Sequence, residues 1–453
     1  MNLLACDDLD LNALQADYLN LLMFDIDGGL RSVTLPRDYV SQAIVRDGIG
    51  FDASNYGFAK VERSDMIAIP DCGSAWTEER DGLPIAHVLC DVISTQRSDF
   101  DQYPRSVAKR TARHLVDQGI ADSAQLLVEL EFYVFDAVEY STGLDHASYA
   151  IRSGEGLGGE SATQPRLAPA GGYHRLPPED HFFDLRNRIV RSLGQAGIPV
   201  KYHHHEVGAA QLEIELDFMD LLKAADSVCI AKWIIRSIAE EMGFNITFMA
   251  KPLYKMPGSG MHVHQFLEKD NRSLFPGEGL YGLSREALAY TAGLLEHSLS
   301  GSLLAFTNPS TNSFRRLVPG YEAPISATFA EGSRSAAVRV PGYLRADEMR
   351  VEYRTGDASA NPHYALSAMV LAGVDGILRN ADPVALGFTR VDEAGDRVFP
   401  LDLHAVLDGL ARDNAWLKPA FPDPLLTRWI ERKRAEADYV YNAPTPQEYE
   451  LYF

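Results

Sequence analysis

Short segments of alternating hydrophobic and polar residues open the chain, and longer amphipathic segments follow them. In the first hundred residues, LNLLMFDID and LRSVTLP lie between Gly and Pro breaks, which predicts a small module built on a sheet. A break at residues 101–104 precedes SVAKRTARHLVDQGI, which predicts an amphipathic helix ending at Gly119, and LLVELEFYVFD then predicts a strand. Strands mixed with long helices in this order favour an α+β fold over a doubly wound parallel sheet.

Further helices are expected at residues 180–195, 218–242, 285–300 and 363–379. The stretch from Leu401 to Phe453 predicts two helices with a Pro-rich turn between them. A Gly- and Ser-rich segment at residues 153–165 matches no phosphate-binding pattern and is predicted to be a surface loop.

Acidic residues occur in pairs on the predicted strands. In LLVELEFYVFD the two-residue period of a strand places Glu129 and Glu131 on one face. Two such carboxylates repel each other by on the order of a few kcal/mol at an effective dielectric constant of about 20, unless a cation neutralises them. A solvated strand face is the alternative interpretation. In KYHHHEVGAAQLEIEL, a turn at Gly-Ala-Ala makes Glu206 and Glu213 neighbours across a hairpin, which gives a second pair.

Histidines and arginines share faces with further acids. In GSGMHVHQF, His262 and His264 lie on one strand face after glycines that let a ligand approach the backbone, although ordinary core or surface histidines are the alternative. In VEYRT, Glu352 and Arg354 share a face, and FRRLVPGYEAP and RSAAVRVP add Arg316, Glu322, Arg334 and Arg339. Because a guanidinium matches a carboxylate or phosphate with two parallel hydrogen bonds, this density indicates a surface for an anionic substrate, with structural ion pairs as the alternative.

The combination of side chains suggests a class of chemistry. Several carboxylates and an imidazole suit a hard divalent cation such as Mg²⁺ or Mn²⁺, and arginines suit phosphates that such ions bridge. The combination points to phosphoryl transfer, although the chain contains no Walker or protein-kinase motif.

The amino-acid composition limits the binding partners and the cellular compartment to be expected. The chain has 42 Lys and Arg against 63 Asp and Glu, a net charge of −21, so nucleic acid and membrane are not expected partners. The cysteines, Cys6, Cys72, Cys90 and Cys229, are scattered without CxxC spacing, which predicts buried small residues in a reducing compartment and no thiolate zinc site. Because acidic residues replace the basic start of a signal peptide, a cytoplasmic protein is expected.

An ordered series of motifs covers nearly the whole chain and resembles the glutamine synthetase family, type I. The motifs are FDASNYGF with RSDMIAIPD, ELEFYVFD, GGYHRLPP, HHEVGAAQLEI, KPLYKMPGSGMHVHQ, NPSTNSFRRLVPGYEAPISA, RSAAVRVP, VEYRTGDASANPHYALSAMVLAGVDGI and PTPQEYELYF. The resemblance implies an N-terminal β-grasp domain at residues 1–102 and a catalytic domain at residues 103–453, with a curved antiparallel sheet backed by helices. It also implies a homo-oligomer, a dodecamer of two hexameric rings with active sites between subunits. The implied reaction uses ATP to phosphorylate the γ-carboxylate of glutamate, which then condenses with ammonia to form glutamine.

The resemblance further assigns roles to the candidate residues. Glu131, Glu206 and Glu213 would hold one metal ion, and Glu129, His262 and Glu352 a second ion nearer the ATP phosphates. Nucleotide phosphates would contact His264 and Arg339, the transferring phosphoryl group would contact Arg334, and glutamate would contact Gly258, Arg316 and Arg354. Around the amine, Asp52 would deprotonate ammonium, Tyr173 would line its pocket, and Glu322 would close over the intermediate.

Several positions depart from the family pattern. Pro257 replaces an Asn that touches glutamate in glutamine-forming members, and Ala53 and Asn55 replace Gly and Ser near the ammonium pocket. Lys201 and Phe266 replace an acidic and a small polar residue near the nucleotide. These departures leave two alternatives open. One is a γ-glutamyl ligase for a larger amine, such as a polyamine, ethanolamine or an aromatic amine, and the other is a catalytically silent paralogue.

Overall fold

The computed structural model describes residues 15–59, 61–156, 167–389 and 397–453. The acidic N-terminal segment with Cys6 and most of the loop predicted at residues 153–165 lie outside the described residues. Among the helices of the described ranges, none is long and apolar enough to cross a lipid bilayer.

The N-terminal part is built on a six-stranded mixed sheet. Its elements are β1 (Tyr18–Phe24), β2 (Leu30–Pro36), α1 (Gln42–Asp47), β3 (Ile49–Asp52), β4 (Asp65–Pro70), β5 (Trp76–Arg80) and β6 (Leu83–Ser94). The strand order is β2-β1-β6-β4-β3, with β5 paired to β6. β1 and β6 run parallel, whereas the other pairs are antiparallel. The sheet-containing module expected from the alternating segments is therefore confirmed.

The larger part holds a ten-stranded sheet and most of the helices. Its strands are β7 (Ser123–Phe135), β8 (Ala137–Thr142), β9 (Ala147–Arg152), β10 (Val200–His205), β11 (Gln211–Leu216), β12 (Met219–Asp220), β13 (Asn245–Thr247), β14 (Met261–Lys269), β15 (Arg272–Ser273), β16 (Phe329–Glu331), β17 (Val338–Val340) and β18 (Val351–Tyr353). The path through the sheet is β10-β11-β7-β14-β18-β17-β16, while β12 and β13 pair with β7 and β15 pairs with β14. β8 and β9 form a separate hairpin. The expected antiparallel sheet is confirmed except that β16 and β17 run parallel.

Helices cover the sheet on the side away from the charged residues of β7. They are α2 (Pro104–Asp117), α3 (Phe183–Gln195), α4 (Leu221–Glu241), α5 (Arg285–Leu299), α6 (Leu304–Thr307), α7 (Ser313–Arg316), α8 (Pro362–Arg379), α9 (Leu403–Arg412), α10 (Asp423–Tyr441) and α11 (Pro446–Tyr452). Both α2 and α4 pack against β7, and α8 packs against α4 and α5. Leu130 and Phe132 of β7 belong to this core, so the alternation of the strand turns Glu129 and Glu131 to the opposite face.

A buried arginine joins the N-terminal part to the helices of the larger part. Arg105 on α2 is 1% exposed. Its guanidinium donates to Asp71 at 2.6 Å, to Asp91 at 2.8 Å and to Asp226 of α4 at 3.1 Å. Because Asp71 and Asp91 come from the N-terminal part and Asp226 from the larger part, the network around this buried cation is complete only when both parts are docked.

Two sequence expectations need correction. The C-terminal stretch forms three helices, because Thr445 and Glu448 make a capping box that begins α11 after the turn that ends α10. Cys90 and Cys229 are buried free thiols as predicted, but Cys72 is half-buried and disulfide-bonded.

Candidate active site

Strand β7 carries two acidic residues whose neighbours on both sides are also polar. Across the ladder with β11, Glu131 faces Glu213. Across the ladder with β14, Glu129 faces His262. Directly opposed residues on adjacent strands have their Cβ atoms within about 5.5 Å. The register of the sheet therefore gathers these side chains, which are distant in sequence, onto one face.

His262 lies at the centre of three carboxylates. Its Nδ1 is 2.8 Å from Glu129, 3.6 Å from Glu131 and 4.0 Å from Glu352. Its Nε2 accepts a hydrogen bond from Arg316 at 3.2 Å. Because this bond uses the Nε2 lone pair, the ring is oriented with Nδ1 towards the acids, where a cation would replace the Nδ1 proton.

Glu129 is the most strongly ionised acid of the group. It accepts from His262 and from the Nε2 of His264, both at 2.8 Å. Burial alone would raise its pKa, but these two hydrogen bonds hold the pKa of Glu129 well below its usual range. The second ring nitrogen of His264 accepts from Arg350 at 3.3 Å. His264 therefore lies inside the cluster, with Arg350 behind it.

Glu206 and Glu213 form the other half of the cluster, in which several carboxylates lie close together. His204 on β10 lies between them, 3.9 Å from Glu206 and 3.3 Å from Glu213. Burial and the neighbouring carboxylates, including Glu131, raise the pKa of both Glu206 and Glu213 well above the usual value. A cation is thus needed for all of these groups to be ionised together.

Arginines flank the group on the side of β17 and β18. Glu352 makes ion pairs with Arg339 at 2.9 Å and with Arg354 at 2.5 Å. Burial would raise the pKa of Glu352, but the charge of Arg354 lowers it. The Nε of Arg354 also donates to the carbonyl of Arg334 at 3.1 Å. The face that the sequence predicted for Glu352 and Arg354 is confirmed.

Arg316 is held deep beside the cluster by its own backbone surroundings. Its Nη atoms donate to the carbonyls of Thr355, Gly356 and Arg354 at 2.8, 3.2 and 3.1 Å. Gly258 packs against its stem, since a Cβ at that position would lie 2.6 Å from Cγ of Arg316 and 2.7 Å from the carbonyl oxygen of Ala250. Only glycine fits this approach without displacing the arginine.

A half-exposed group lies at the mouth of the site. Arg334 and Glu322 approach to 3.9 Å, and Arg334 also hydrogen-bonds with Tyr173. Glu322 has a left-handed backbone with φ of +57°. Tyr173 stacks on His174 with ring centroids 4.0 Å apart and meets the edge of His204. The structure thus places Tyr173, Glu322 and Arg334 together beside Glu206.

Asp52 lies elsewhere in the subunit, at the end of β3 in the N-terminal sheet. Its exposed carboxylate accepts from the backbone and hydroxyl of Ser54 at 2.8 and 3.0 Å and also from Ser64. These hydrogen bonds, first of all that from the Ser54 backbone, lower the pKa of Asp52. Its partners among the described residues belong to the N-terminal part, so one subunit does not bring Asp52 to the acidic cluster.

Comparisons with known proteins agree with this geometry. The model of the glutamine synthetase catalytic domain matches residues 101–452, and that of the glutamine synthetase β-grasp domain matches residues 15–95. The chain belongs to the glutamine synthetase family. The glutamine synthetase of Frankia alni is 39% identical over 460 residues and that of Mycolicibacterium smegmatis is 36% identical over 460 residues, each alignment covering 96% of both chains. The cryo-EM structure of Plasmodium falciparum glutamine synthetase has a TM-score of 0.89 and 26% identity, with 98% of this chain and 97% of that chain covered.

The glutamine synthetase resemblance did not include two polar residues of β11 that belong to the cluster. Gln211 donates to Glu131 at 3.3 Å and to the carbonyl of Gly258 at 3.0 Å. Glu215 is buried opposite Glu129 and pairs with Lys201 at 2.6 Å. Both lie two residues from Glu213, so the strand period in QLEIEL was the signal that could have found them.

The positions that depart from the glutamine synthetase pattern lie in both parts of the chain. The carbonyl of Pro257 accepts from the Tyr133 hydroxyl at 2.8 Å. Phe266 meets the edge of Phe218 with centroids 5.1 Å apart. Ala53 is buried and Asn55 is exposed, next to Asp52 in the N-terminal part. Lys201 pairs with the buried carboxylate of Glu215 and neutralises it.

Proposed function

We propose that this protein is an ATP-dependent ligase that phosphorylates the γ-carboxylate of glutamate and condenses it with ammonia to form glutamine, ADP and phosphate. The observation that carries the proposal is the convergence of one imidazole with five carboxylates on one sheet face, flanked by arginines. The residues are Glu129, Glu131, Glu206, Glu213, His262 and Glu352. A carboxylate is a poor electrophile, so the chemistry requires activation by a phosphoryl group, and this donor set suits that task.

The donor set fits Mg²⁺ or Mn²⁺, since both ions prefer carboxylate oxygens and accept an imidazole. We assign Glu131, Glu206 and Glu213 to one ion and Glu129, His262 and Glu352 to the other. The raised pKa values of Glu206 and Glu213 support this assignment, because the buried acids lack enough positive charge among the described residues. When bound, such ions neutralise the phosphates of ATP and orient its terminal phosphoryl group.

The arginines and His264 are proposed to handle the phosphates and glutamate. Arg339 and His264 would contact nucleotide phosphates, and Arg334 would stabilise the phosphoryl group during transfer. Arg354 would bind a glutamate carboxylate. A guanidinium has five N–H donors, and the bonds of the Arg316 Nη atoms leave its Nε–H for the same substrate. Gly258 would let glutamate approach that arginine.

The amine half of the site is proposed to form between subunits. The Asp52 carboxyl group is ionised at neutral pH, as an ordinary aspartate is, so it can hold ammonium and accept its proton. Because Asp52 is exposed and remote from the cluster of its own chain, we propose that it serves a neighbouring subunit in a homo-oligomer, a dodecamer of two hexameric rings. Tyr173 and Glu206 would line the ammonium pocket, and the Glu322 segment would close over the acyl phosphate to exclude water.

The domain boundary and the compartment are proposals of the same kind. We place the boundary between residues 102 and 103, which the two family matches and the start of α2 at Pro104 support. Use of ATP supports the proposed cytoplasmic location, whereas the cysteines give no net support, since Cys90 and Cys229 are free thiols and Cys72 is disulfide-bonded.

A γ-glutamyl ligase for a larger amine is the second candidate. A small apolar cluster beside the site favours it, because Leu167, Ala209 and Met256 pack together with Leu253 directly before Pro257. Pro257 offers no side-chain amide to a substrate. A polyamine, ethanolamine or an aromatic amine would then replace ammonia.

One assay separates these functions. Purified protein receives ATP, Mg²⁺, glutamate and either ammonium or one of the amines, and phosphate release and product mass are measured. Phosphate release with ammonium and formation of glutamine support the first proposal. Release only with an organic amine supports the second. No release in any mixture would identify a catalytically silent paralogue.

Mixed oligomers test the shared site. Asp52→Asn and Glu352→Gln variants should each be inactive, and random co-assembly in equal amounts should restore about one quarter of the sites, since a site then needs Glu352 from one chain and Asp52 from its neighbour. If Asp52 serves its own chain, every mixed site carries one lesion and activity stays absent.

A further inference from the structure

A fully buried carboxylate outside the acidic cluster accepts hydrogen bonds from both ends of the turn that carries Glu206. Glu155, which follows β9, is 0% exposed. Its Oε2 lies 2.8 Å from Nε2 of His205 and accepts from the backbone N–H of Ala210 at 2.7 Å. Its Oε1 accepts from the backbone N–H of His181 at 2.9 Å. Three donors from three separate segments thus compensate the burial of this acid.

Two of these donors lie at the two ends of one turn. We call residues 206–210 the ligand turn. It begins at Glu206 and leads into β11, the strand that carries Glu213. His205 immediately precedes the turn and donates from Nδ1 to the carbonyl of Glu206 at 2.7 Å. Ala210 closes the turn before β11 begins at Gln211. Glu155 therefore holds both ends of the ligand turn at once.

The ligand turn needs such support because its backbone is strained. Ala210 has φ of +66°, a left-handed conformation that is unfavourable for an L residue with a side chain. In this conformation its N–H points to Glu155 and its carbonyl accepts from Val134 of β7 at 2.9 Å. The bond to Glu155 offsets part of the strain and fixes the path of the turn.

The contact between Glu155 and His205 also affects the mouth of the site, because His205 packs against the segment that carries Tyr173. The ring of His205 packs so closely on Gly172 that a Cβ there would lie 2.4 Å from Cε1. The carbonyl of His205 accepts from His174 at 3.1 Å. Tyr173 lies between these two contacts, so the position of the ring sets the segment that carries Tyr173 as well as the backbone of Glu206.

We propose that Glu155 is a positioning residue that fixes the ligand turn, so that Glu206 reaches the same cation as Glu131 and Glu213. The inference rests on the proposed function only in taking Glu206 as a metal ligand. Without the carboxylate, Ala210 can relax and the Glu206 carbonyl loses the oriented donor of His205. The turn then presents Glu206 less accurately, and divalent-cation affinity falls while the chemistry at saturating metal is retained.

Direct binding of Mn²⁺ to the full-length oligomer tests the proposal. Glu155→Leu keeps nearly the same volume but removes both acceptor oxygens, so the contacts to His205 and Ala210 are both lost. We expect its Mn²⁺ dissociation constant, measured by electron paramagnetic resonance, to rise about 10- to 100-fold, which is usual when the partner of a metal ligand is removed. In turnover, the Mn²⁺ concentration for half-maximal rate should rise by a similar factor, while kcat at saturating Mn²⁺ changes little.

A matched control separates positioning from general stability. His297→Gln removes a buried charged contact to Asp375 and Asp413, remote in sequence from the ligand turn, and should leave the Mn²⁺ constant unchanged. Glu155→Asp keeps the charge but shortens the reach, and it gives the same measurement if Glu155→Leu does not assemble. Unchanged Mn²⁺ affinity in an assembled Glu155 variant would overturn the proposal. An inactive wild type with Glu155-dependent Mn²⁺ binding would instead refute the ligase function and leave this inference standing.

Discussion

Replacing Glu213 with Gln should stabilise the metal-free protein and weaken its response to metal. Glu213 is buried opposite Glu131, and ligand oxygens of Glu129, Glu213 and Glu215 lie within 4.8 Å of one another. Its raised pKa reflects burial and the repulsion of these acids. The substitution keeps the size of the side chain and removes one negative charge from this group of carboxylates.

The magnitude follows from the spacing. Two unit charges 4.8 Å apart repel by about 3.5 kcal/mol at an effective dielectric constant of 20. Protonation already relieves part of this, so we expect a gain of about 1–2 kcal/mol in free energy of unfolding and a rise of a few °C in Tm. The raised pKa of Glu213 makes the metal-free wild type lose stability as pH rises through that pKa. The advantage of Glu213→Gln should therefore grow above pH 4.5, the ordinary value for Glu.

Thermal unfolding with EDTA and with Mn²⁺ measures both effects. In EDTA, Glu213→Gln should melt above the wild type. With Mn²⁺ the order should reverse, because a ligand at 100 times its dissociation constant stabilises by about 2.7 kcal/mol and the variant binds the ion more weakly. Glu139→Gln, on the exposed strand β8, is the control and should change neither curve. The reasoning is refuted if Glu213→Gln melts at or below the wild type in EDTA and gains as much from Mn²⁺.

Three further predictions concern other parts of the molecule. Arg105→Met removes the buried cation shared by Asp71, Asp91 and Asp226 and should lower the free energy of unfolding by about 3–5 kcal/mol in denaturant titrations, and a loss below 1 kcal/mol would contradict the role of this junction. His297 has a pKa raised by Asp partners against the effect of burial, so its contribution to stability is complete below about pH 6.5 and is lost as pH rises through the raised pKa. His297→Gln should therefore flatten the decline in Tm that the wild type shows above that pH. Gly258→Ala should displace Arg316 and raise the KM for glutamate about tenfold or more, whereas Gly194→Ala, where a Cβ meets nothing within 4 Å, should leave KM unchanged.

The sequence predicted which residues share a face of one strand better than it predicted which strands are adjacent. A period of two in LLVELEFYVFD correctly placed Glu129 and Glu131 together, and the same rule paired His262 with His264. Periodicity says nothing about which strands adjoin, so the pairing of β7 with β11 and β14 was not predicted and is known from the structure. Glu215 was missed because it became significant only once its position opposite Glu129 was known.

Helix ends and shared sites were less accessible to sequence reasoning. The helix expected at residues 180–195 begins at Phe183, and the short helix α11 depends on a local capping box that the search for amphipathic segments did not include. Asp52 illustrates a deeper limit. Its proposed role across a subunit boundary came from the family resemblance alone, because spacing within one chain carries no information about contacts with a second copy.

The three aspartates around Arg105 have a consequence for how chains in an assembly depend on one another. The buried Arg105 side chain fixes the N-terminal sheet, which carries Asp52, to α2 and α4. If Asp52 works across the subunit boundary, damage to this interior clamp would be felt as lost turnover in the adjacent chain, whose own sequence is intact. A substitution of Arg105 or of its aspartate partners would then reduce the activity of the neighbouring chain first.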